Sequence, residues 1–164
     1  MAAPPNMFPT LLSRMFRPFT TSTATKSLNP EAQAVSEKNI PSNAEKCTVA
    51  AGCFWGVEHL FRKHFAGKGL LDARVGYIGD AEALQVTFDP SAVSYTTLLQ
   101  FFYKMHDPTT LNRQGMDAGT QYRSGIFYHG DEQKRIAEEV TQKANEQWWK
   151  GKISTQVLEA GKCE

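Results

Sequence analysis

Cys47-Thr48-Val49-Ala50-Ala51-Gly52-Cys53-Phe54-Trp55-Gly56-Val57-Glu58-His59-Leu60-Phe61 is the stretch on which the fold turns. Its first five residues form an alternating apolar run, the pattern of a half-buried strand. From Val57 onward the period changes, and Val57, Leu60, Phe61 and His64 fall on one face of a helix. Cys53 therefore sits where a strand hands over to a helix N-terminus. The first turn of a helix leaves backbone N–H groups unpaired and carries partial positive charge. A thiol placed there ionises more easily, and the thiolate is the reactive form. Phe54 and Trp55 follow at once, so apolar ring faces would flank the sulfur and suit a substrate with a small apolar end. Taken alone, the same residues also suit a core cysteine among core aromatics, because free cysteine is among the most buried residue types.

Upstream, residues 1–43 have no steady periodicity and are rich in Pro, Ser, Thr and Ala. The first acid is Glu31, preceded by Arg14, Arg17 and Lys26. Phe8, Leu11, Leu12, Met15 and Phe16 can form one face of a short helix with the arginines outside it. This is the profile of a mitochondrial presequence, with a plain disordered tail in the cytoplasm as the alternative. The folded domain is expected over 44–164, and a monomer is expected.

Composition narrows the function classes. The chain has 164 residues, 41% apolar and 21% charged, which fits one globular domain plus a tail. A net charge of +1 gives no electrostatic case for nucleic acid. No apolar run has the length of a membrane span. Three cysteines, Cys47, Cys53 and Cys163, are too few and too oddly spaced for a disulfide framework and point to a reducing compartment. Their spacing matches no zinc pattern, so no metal is expected, and no cofactor is called for. If Cys47 and Cys53 bracket a strand they lie roughly 20 Å apart, far beyond disulfide reach.

Downstream, Leu70 to Tyr77 reads as a strand, Gly79-Asp80 as a tight hairpin turn and Glu82 to Phe88 as its return strand. Ser94 is a candidate N-cap for a helix running to Lys104, with Leu98, Leu99 and Phe102 inward. A polar, glycine-bearing loop runs from His106 to Tyr122. Ser124 to His129 reads as a strand. Asp131 opens a helix expected to reach Trp149, with Ile136, Val140, Ala144 and Trp148 in one row. Ile153 to Leu158 reads as a last strand. The order β-α-β-β-α-β, then α-β, predicts an α+β fold: a two-layer sandwich with a ferredoxin-like split βαβ core and an extra C-terminal helix and strand.

That plan has a geometric consequence. Crossover helices make strands one and two parallel and strands three and four parallel, while the hairpin reverses strand three against strand one. The C-terminal end of strand one then shares a sheet edge with the N-terminal ends of strands three and four. Cys53 stands at the first point and Glu82 at the second. The loop holding Asp117 and Tyr122 leads into the third, and Tyr77 closes strand two at the same edge. A nucleophile, a carboxyl and phenols converge from distant positions, as a reactive site requires.

Gly52-Cys53-Phe54-Trp55-Gly56 resembles the signature of the A-type peptide methionine sulfoxide reductases. Further segments fit in the same order. Ala81-Glu82-Ala83-Leu84-Gln85-Val86 is similar to the family's acidic strand. His106-Asp107-Pro108-Thr109-Thr110 with Asn112-Arg113-Gln114-Gly115 is similar to its shaping loop. Asp117 with Gly119-Thr120-Gln121-Tyr122-Arg123-Ser124 is similar to its substrate-binding segment. The resemblance implies that Cys53 attacks the sulfoxide sulfur, that Glu82 gives the oxygen a proton and that Tyr122 donates a hydrogen bond to it. It further implies that Phe54 and Trp55 hold the terminal methyl group and that Asp117 helps hold the substrate or a water. The expected substrate is the S-epimer of methionine sulfoxide, free or in proteins. The expected intermediate is a Cys53 sulfenic acid, and the expected reductant is thioredoxin.

Two departures from the family pattern stand out. Gly76-Tyr77-Ile78-Gly79 runs almost directly into Asp80-Ala81-Glu82, where the family carries a longer link with a further tyrosine. The chain also ends at Gly161-Lys162-Cys163-Glu164, where the family continues with an acidic and His-Gln-bearing segment and many members add a glycine-rich tail with a resolving cysteine. A catalytically impaired member that binds oxidised methionine is therefore a second reading. A cysteine hydrolase using His106 as base is a third, and a binding module without chemistry a fourth. Cys163, placed after a strand that ends at the far sheet edge, is expected to resolve poorly.

Overall fold

A computed structural model describes residues 40–161. Most of the candidate presequence and Cys163 lie outside the described residues. Strand β1 (Glu45–Ala51) is buried along its last five residues, because it is the central strand of five. The sheet order is β2-β3-β1-β6-β7, with β2 Leu70–Ile78, β3 Ala81–Phe88, β6 Ser124–Tyr128 and β7 Gln156–Glu159. β1 runs antiparallel to both β3 and β6, β2 antiparallel to β3, and β6 parallel to β7. The first four of these strands in chain order are the split βαβ arrangement, and β7 extends the sheet beyond β6. Every strand direction agrees with the sequence reading.

Among the described residues three α-helices cover one face of the sheet: α1 (Phe54–Phe65), α2 (Tyr95–Met105) and α3 (Asp131–Ala144). The main core lies between the layers. Cys47, Val49 and Ala51 of β1 meet Leu84, Val86 and Phe88 of β3 and Ile126 of β6, with Phe61, Leu98, Phe102 and Val140 above them. Fully burying such a side chain contributes about 1.5–3 kcal/mol. The other face carries a smaller cluster of Ala50, Ala81, Ala83, Ile78 and Phe127. Alternate residues of one strand thus serve two faces, as the period of 2 requires.

The helix ends follow local chemistry. Ser94 caps α2 by accepting from Thr97 N at 3.1 Å. β2 and β3 join through Gly79 and Asp80 alone, and Gly79 has φ +60. A positive φ at the first of two loop positions is the usual demand of a tight hairpin, and glycine meets it without steric cost.

Four sequence expectations need correction. In α1 the buried residues are Val57, Phe61 and Phe65, whereas Leu60 and His64 are exposed. The sheet lies beneath the 57–61–65 row, and His64 instead stacks on Phe101 of α2 at 4.4 Å. In α3 the fully buried row is Gln133, Ala137, Val140 and Ala144, and Ile136 packs on the core only in part. A π-helical turn over Asn145–Trp149 ends this element. Its wider step carries the inward row from Ala144 to Trp149. Trp149 packs on the core, and Trp148 faces outward beneath the Lys104 ammonium, 4.9 Å from the ring centroid. The last strand begins at Gln156 rather than Ile153, because Ile153 N is bonded to Asn145 Oδ1 and Ser154 N to Pro108 O. Finally, the His106–Tyr122 stretch is not a plain loop. It holds a two-stranded ribbon, β4 (Arg113–Gln114) with β5 (Asp117–Ala118), and a 3₁₀ turn, Thr120–Tyr122.

Candidate active site

Cys53 occupies the N-cap position of α1, with φ −54 and ψ 116. Its carbonyl accepts from Gly56 N at 3.1 Å and Val57 N at 3.3 Å, which starts the helix one residue beyond the sulfur. No side chain of the cap residue satisfies the first-turn amides. Glu82 does so from across the sheet, its Oε2 accepting from Phe54 N at 2.9 Å. Glu82 is only 7% exposed, so it is a built-in carboxyl and not a solvated strand end. Leu84 and Val86 face the helix layer, and period 2 puts Glu82 on that same face. Tyr77 is its direct cross-strand partner on β2.

The aromatic wall follows from the same placement. Phe54 meets Trp55 edge-on at 5.3 Å and Tyr77 at 5.5 Å. Phe54 is half-buried, while Trp55 and Tyr77 are exposed. Three rings therefore line the ground beside Cys53 and Glu82. Beside Cys53 there is also an open pocket of about 220 Å³, lined by Ala51, Val57, Leu60, His106, Gln114 and Asp117 among others. Asp117, exposed on β5, thus lines the same pocket as Cys53.

Tyr122 arrives by a different route. The 3₁₀ turn that carries it packs on β3. The Arg123 guanidinium donates both to the Asp80 carboxylate at the hairpin tip and to Thr120 O. A hydrogen bond from Thr120, then the Arg123 guanidinium, hold the Asp80 carboxyl below its usual range. The short hairpin is therefore the anchor that brings Tyr122 to the Glu82 edge. Tyr122 itself is half-buried, and among the described residues its hydroxyl has no protein hydrogen-bond partner.

His106 does not act on Cys53. It lines the same pocket, but both ring nitrogens are engaged elsewhere. Nδ1 lies 2.6 Å from the Phe102 carbonyl, which can only accept, so Nδ1 carries the proton. Nε2 then accepts from Ser124 Oγ at 2.8 Å, and Ser124 bonds Thr155 at 2.8 Å. Burial pushes His106 down to about 4. It is a neutral tie between α2 and the start of β6, which removes the base that a cysteine hydrolase needs.

Two contributors were not legible as such. Gln114 closes the loop by accepting from Asp107 N at 3.2 Å and donating to Asp107 O at 3.0 Å. Its stem lies so close to Gly52 that a Cβ there would stand 2.6 Å from Gln114 Cβ. Gly52, with φ +89, allows the chain to turn beneath that stem and deliver Cys53. Nothing in a lone glutamine announces such a contact. A glycine placed directly before Cys53 is the one sequence signal of this turn, since only glycine takes its positive φ without steric cost.

Cys47 makes the contrast. It is wholly buried in β1, and burial pushes its thiol far up, away from reactivity. Both Cys47 and Cys53 are free thiols.

A half-buried thiol at a helix N-cap, a buried carboxyl on the adjacent amide and an aromatic wall come together as a candidate thiol site on a split βαβ sheet. The peptide methionine sulfoxide reductase family model matches residues 45–163. The chain is 42% identical over 136 residues to peptide methionine sulfoxide reductase MsrA 1 of Mesorhizobium japonicum, covering 74% of this chain and 77% of the relative. It is 46% identical over 138 residues to the MsrA of Methanothermobacter thermautotrophicus, covering 73% and 80%. Among solved structures it matches reduced Mxr1 of Saccharomyces cerevisiae with TM-score 0.71 at 34% identity, covering 75% of this chain and 80% of that one. Methionine sulfoxide reductase A of Corynebacterium diphtheriae matches with TM-score 0.68 at 28% identity, covering 75% and 70%. Mxr1 in complex with Trx2 matches with TM-score 0.63 at 31% identity, covering 76% and 81%. The chain belongs to the peptide methionine sulfoxide reductase family, and is accordingly an oxidoreductase acting on methionine sulfoxide.

Proposed function

We propose that this chain reduces the S-epimer of methionine sulfoxide, free or in proteins, through a sulfenic acid on Cys53. The sulfoxide methyl lies against Phe54 and Trp55, with Asp117 holding the substrate or a water. The Cys53 thiolate attacks the electrophilic sulfur while negative charge builds on the oxygen. Glu82 supplies the proton and Tyr122 a hydrogen bond to that oxygen. Methionine leaves and the oxygen remains on Cys53 as a sulfenic acid. The observation that carries the reading is the Phe54 N to Glu82 hydrogen bond, which fixes a buried carboxyl one residue from the nucleophile.

Thioredoxin is the proposed reductant, a reading supported by the Mxr1 relative having been solved with Trx2. The mitochondrial matrix is the proposed location, on the basic, acid-poor segment 1–43, with the cytoplasm as alternative. The two-residue Gly79-Asp80 connection favours a second reading, a family member that binds oxidised methionine but turns over poorly. A mixture of S and R epimers of an N-acetylated methionine sulfoxide, given with thioredoxin, thioredoxin reductase and NADPH, separates the two. The proposal expects the S-epimer alone to disappear, with one NADPH oxidised per methionine formed. Persistence of both epimers, with the sulfoxide still bound by the protein in equilibrium dialysis, would establish the binding-only reading.

A further inference from the structure

Gly115 and Met116 are the whole connection between β4 and β5, since Gln114 pairs with Asp117. Met116 is 91% exposed, the most open large apolar side chain among the described residues. Met105, the other described methionine, is partly buried against the main core. Thioether oxidation follows access, and it turns an apolar side chain into a polar, chiral sulfoxide. Peroxide should therefore act on Met116 before Met105. Both neighbours of this tip line the pocket beside Cys53, as Gln114 and Asp117 do. An exposed methionine thus stands at the rim of a site built for oxidised methionine.

We propose that Met116 is itself a substrate, oxidised at its open thioether and reduced by Cys53 of a second copy of this chain. The inference rests on the reductase reading above. The ribbon's own restraints exclude self-repair. Arg113 Nε donates to Gly115 O at 2.9 Å, Thr110 Oγ1 to Arg113 O at 2.5 Å, and Gln114 is tied to Asp107. A two-residue tip held this way cannot bend back into the pocket its own flanks form. A second copy meets no such restraint, and the narrow tip, with glycine on one side, presents the side chain outward. The chemistry balances with a peroxide as oxidant. Hydrogen peroxide transfers one oxygen to the Met116 sulfur and leaves as water. The thiol of Cys53 in the second copy then takes that oxygen, giving methionine and a sulfenic acid. A dithiol returns the sulfenic acid to the thiol, releasing water and a disulfide.

The test uses full-length Cys53→Ser protein, treated with hydrogen peroxide and freed of it, as a substrate that cannot repair itself. Untreated wild-type chain and dithiothreitol are added, and the Met116 peptide is followed by mass spectrometry beside a free peptide sulfoxide control. Peroxide makes both epimers, so the proposal expects about half of the oxidised Met116 to lose its added oxygen. The rate should rise with wild-type concentration. Adding Cys53→Ser in place of wild type should change nothing, and Met116→Leu should remove the signal while leaving reduction of the control peptide intact. Reduction of the control peptide with oxidised Met116 untouched would overturn this inference and leave the reductase reading standing. Failure on both would overturn both. Repair of oxidised wild type at a rate independent of its concentration would show self-repair and overturn the second-copy claim.

Discussion

Acidification from pH 7 to pH 5 should destabilise this protein chiefly through His106. Burial pushes folded His106 down to about 4, against 6.5 for its ordinary value, although its bond to the Phe102 carbonyl and the nearby Asp107 carboxylate pull the other way. Between those two values the unfolded chain binds more protons than the folded one, so stability falls as pH drops. The contribution is fully present above about 6.5 and is lost on the way down to about 4. At pH 5 the linkage relation gives a loss of about 2 kcal/mol. For a folded unit of this size that lowers the thermal midpoint by roughly 8 °C. His129 is also held below its ordinary value, by partial burial and then by Lys46, so its contribution has the same sign. The readout is therefore the difference in pH slope between wild type and His106→Asn, each measured by urea unfolding at pH 7 and pH 5. The variant should be weaker at both values and should lose about 2 kcal/mol less than wild type across the interval. Equal slopes would refute the assignment of His106 as a neutral tie between α2 and β6.

Glu82→Gln should keep the fold, since its amide oxygen can still accept from Phe54 N, yet slow the chemical step by roughly 10²–10⁴-fold. Glu82→Ala should in addition cost about 1–3 kcal/mol in urea unfolding, because it strips the acceptor from a shielded helix amide. A wild-type single-turnover rate in the Gln variant would make Glu82 a cap and nothing more. Gly52→Ala meets both a left-handed φ and Gln114 Cβ at 2.6 Å, so it should cost at least about 1–2 kcal/mol and displace the Gln114 loop. An unchanged denaturation midpoint would contradict that close approach. A Cys53–Cys163 disulfide should not accumulate. Glu159 pairs with Tyr128 and Phe127 with Thr48, which puts the end of β7 level with Cys47, six residues short of Cys53. Ala160 N still donates to Tyr128 O, so the chain runs one residue further from Cys53 before it leaves the sheet. From there the end of β1 at Ala51 is already about 19 Å away by strand rise and spacing, three residues reach at most ~10 Å, and a disulfide needs Cα atoms within about 7 Å. Peptide mapping after one treatment with sulfoxide checks this, and a dominant crosslink would show the geometry to be wrong.

The sheet was legible because its signals are redundant. Alternation in Cys47–Ala51, the Gly79-Asp80 turn and the Ser94 cap each fix one element, and the order of elements then leaves one arrangement of strand directions. The convergence of Cys53, Glu82 and Tyr122 at one edge follows from those directions. Helix faces were less legible. Leu60 and His64 satisfy the helical period as well as Phe65 does, and only the position of the sheet selects among them. The π turn that exchanges Trp148 for Trp149 depends on tertiary packing, since either tryptophan suits an amphipathic row. The roles of Gln114 and His106 rest on their contacts with the Asp107 and Phe102 backbone and with the distant Gly52 and Ser124, which no local side-chain pattern encodes.

The central claim is that Cys53 performs the reduction and that Cys47 is inert. Its most direct test is a single-turnover reaction without added thiol, counting methionine released from a methyl sulfoxide peptide per protein molecule. Wild type and Cys47→Ser should each release about one equivalent, as a thiol that stops at a sulfenic acid must. Cys53→Ser should release none. Methionine released by Cys53→Ser, or lost in Cys47→Ser while the fold is intact, would contradict the account.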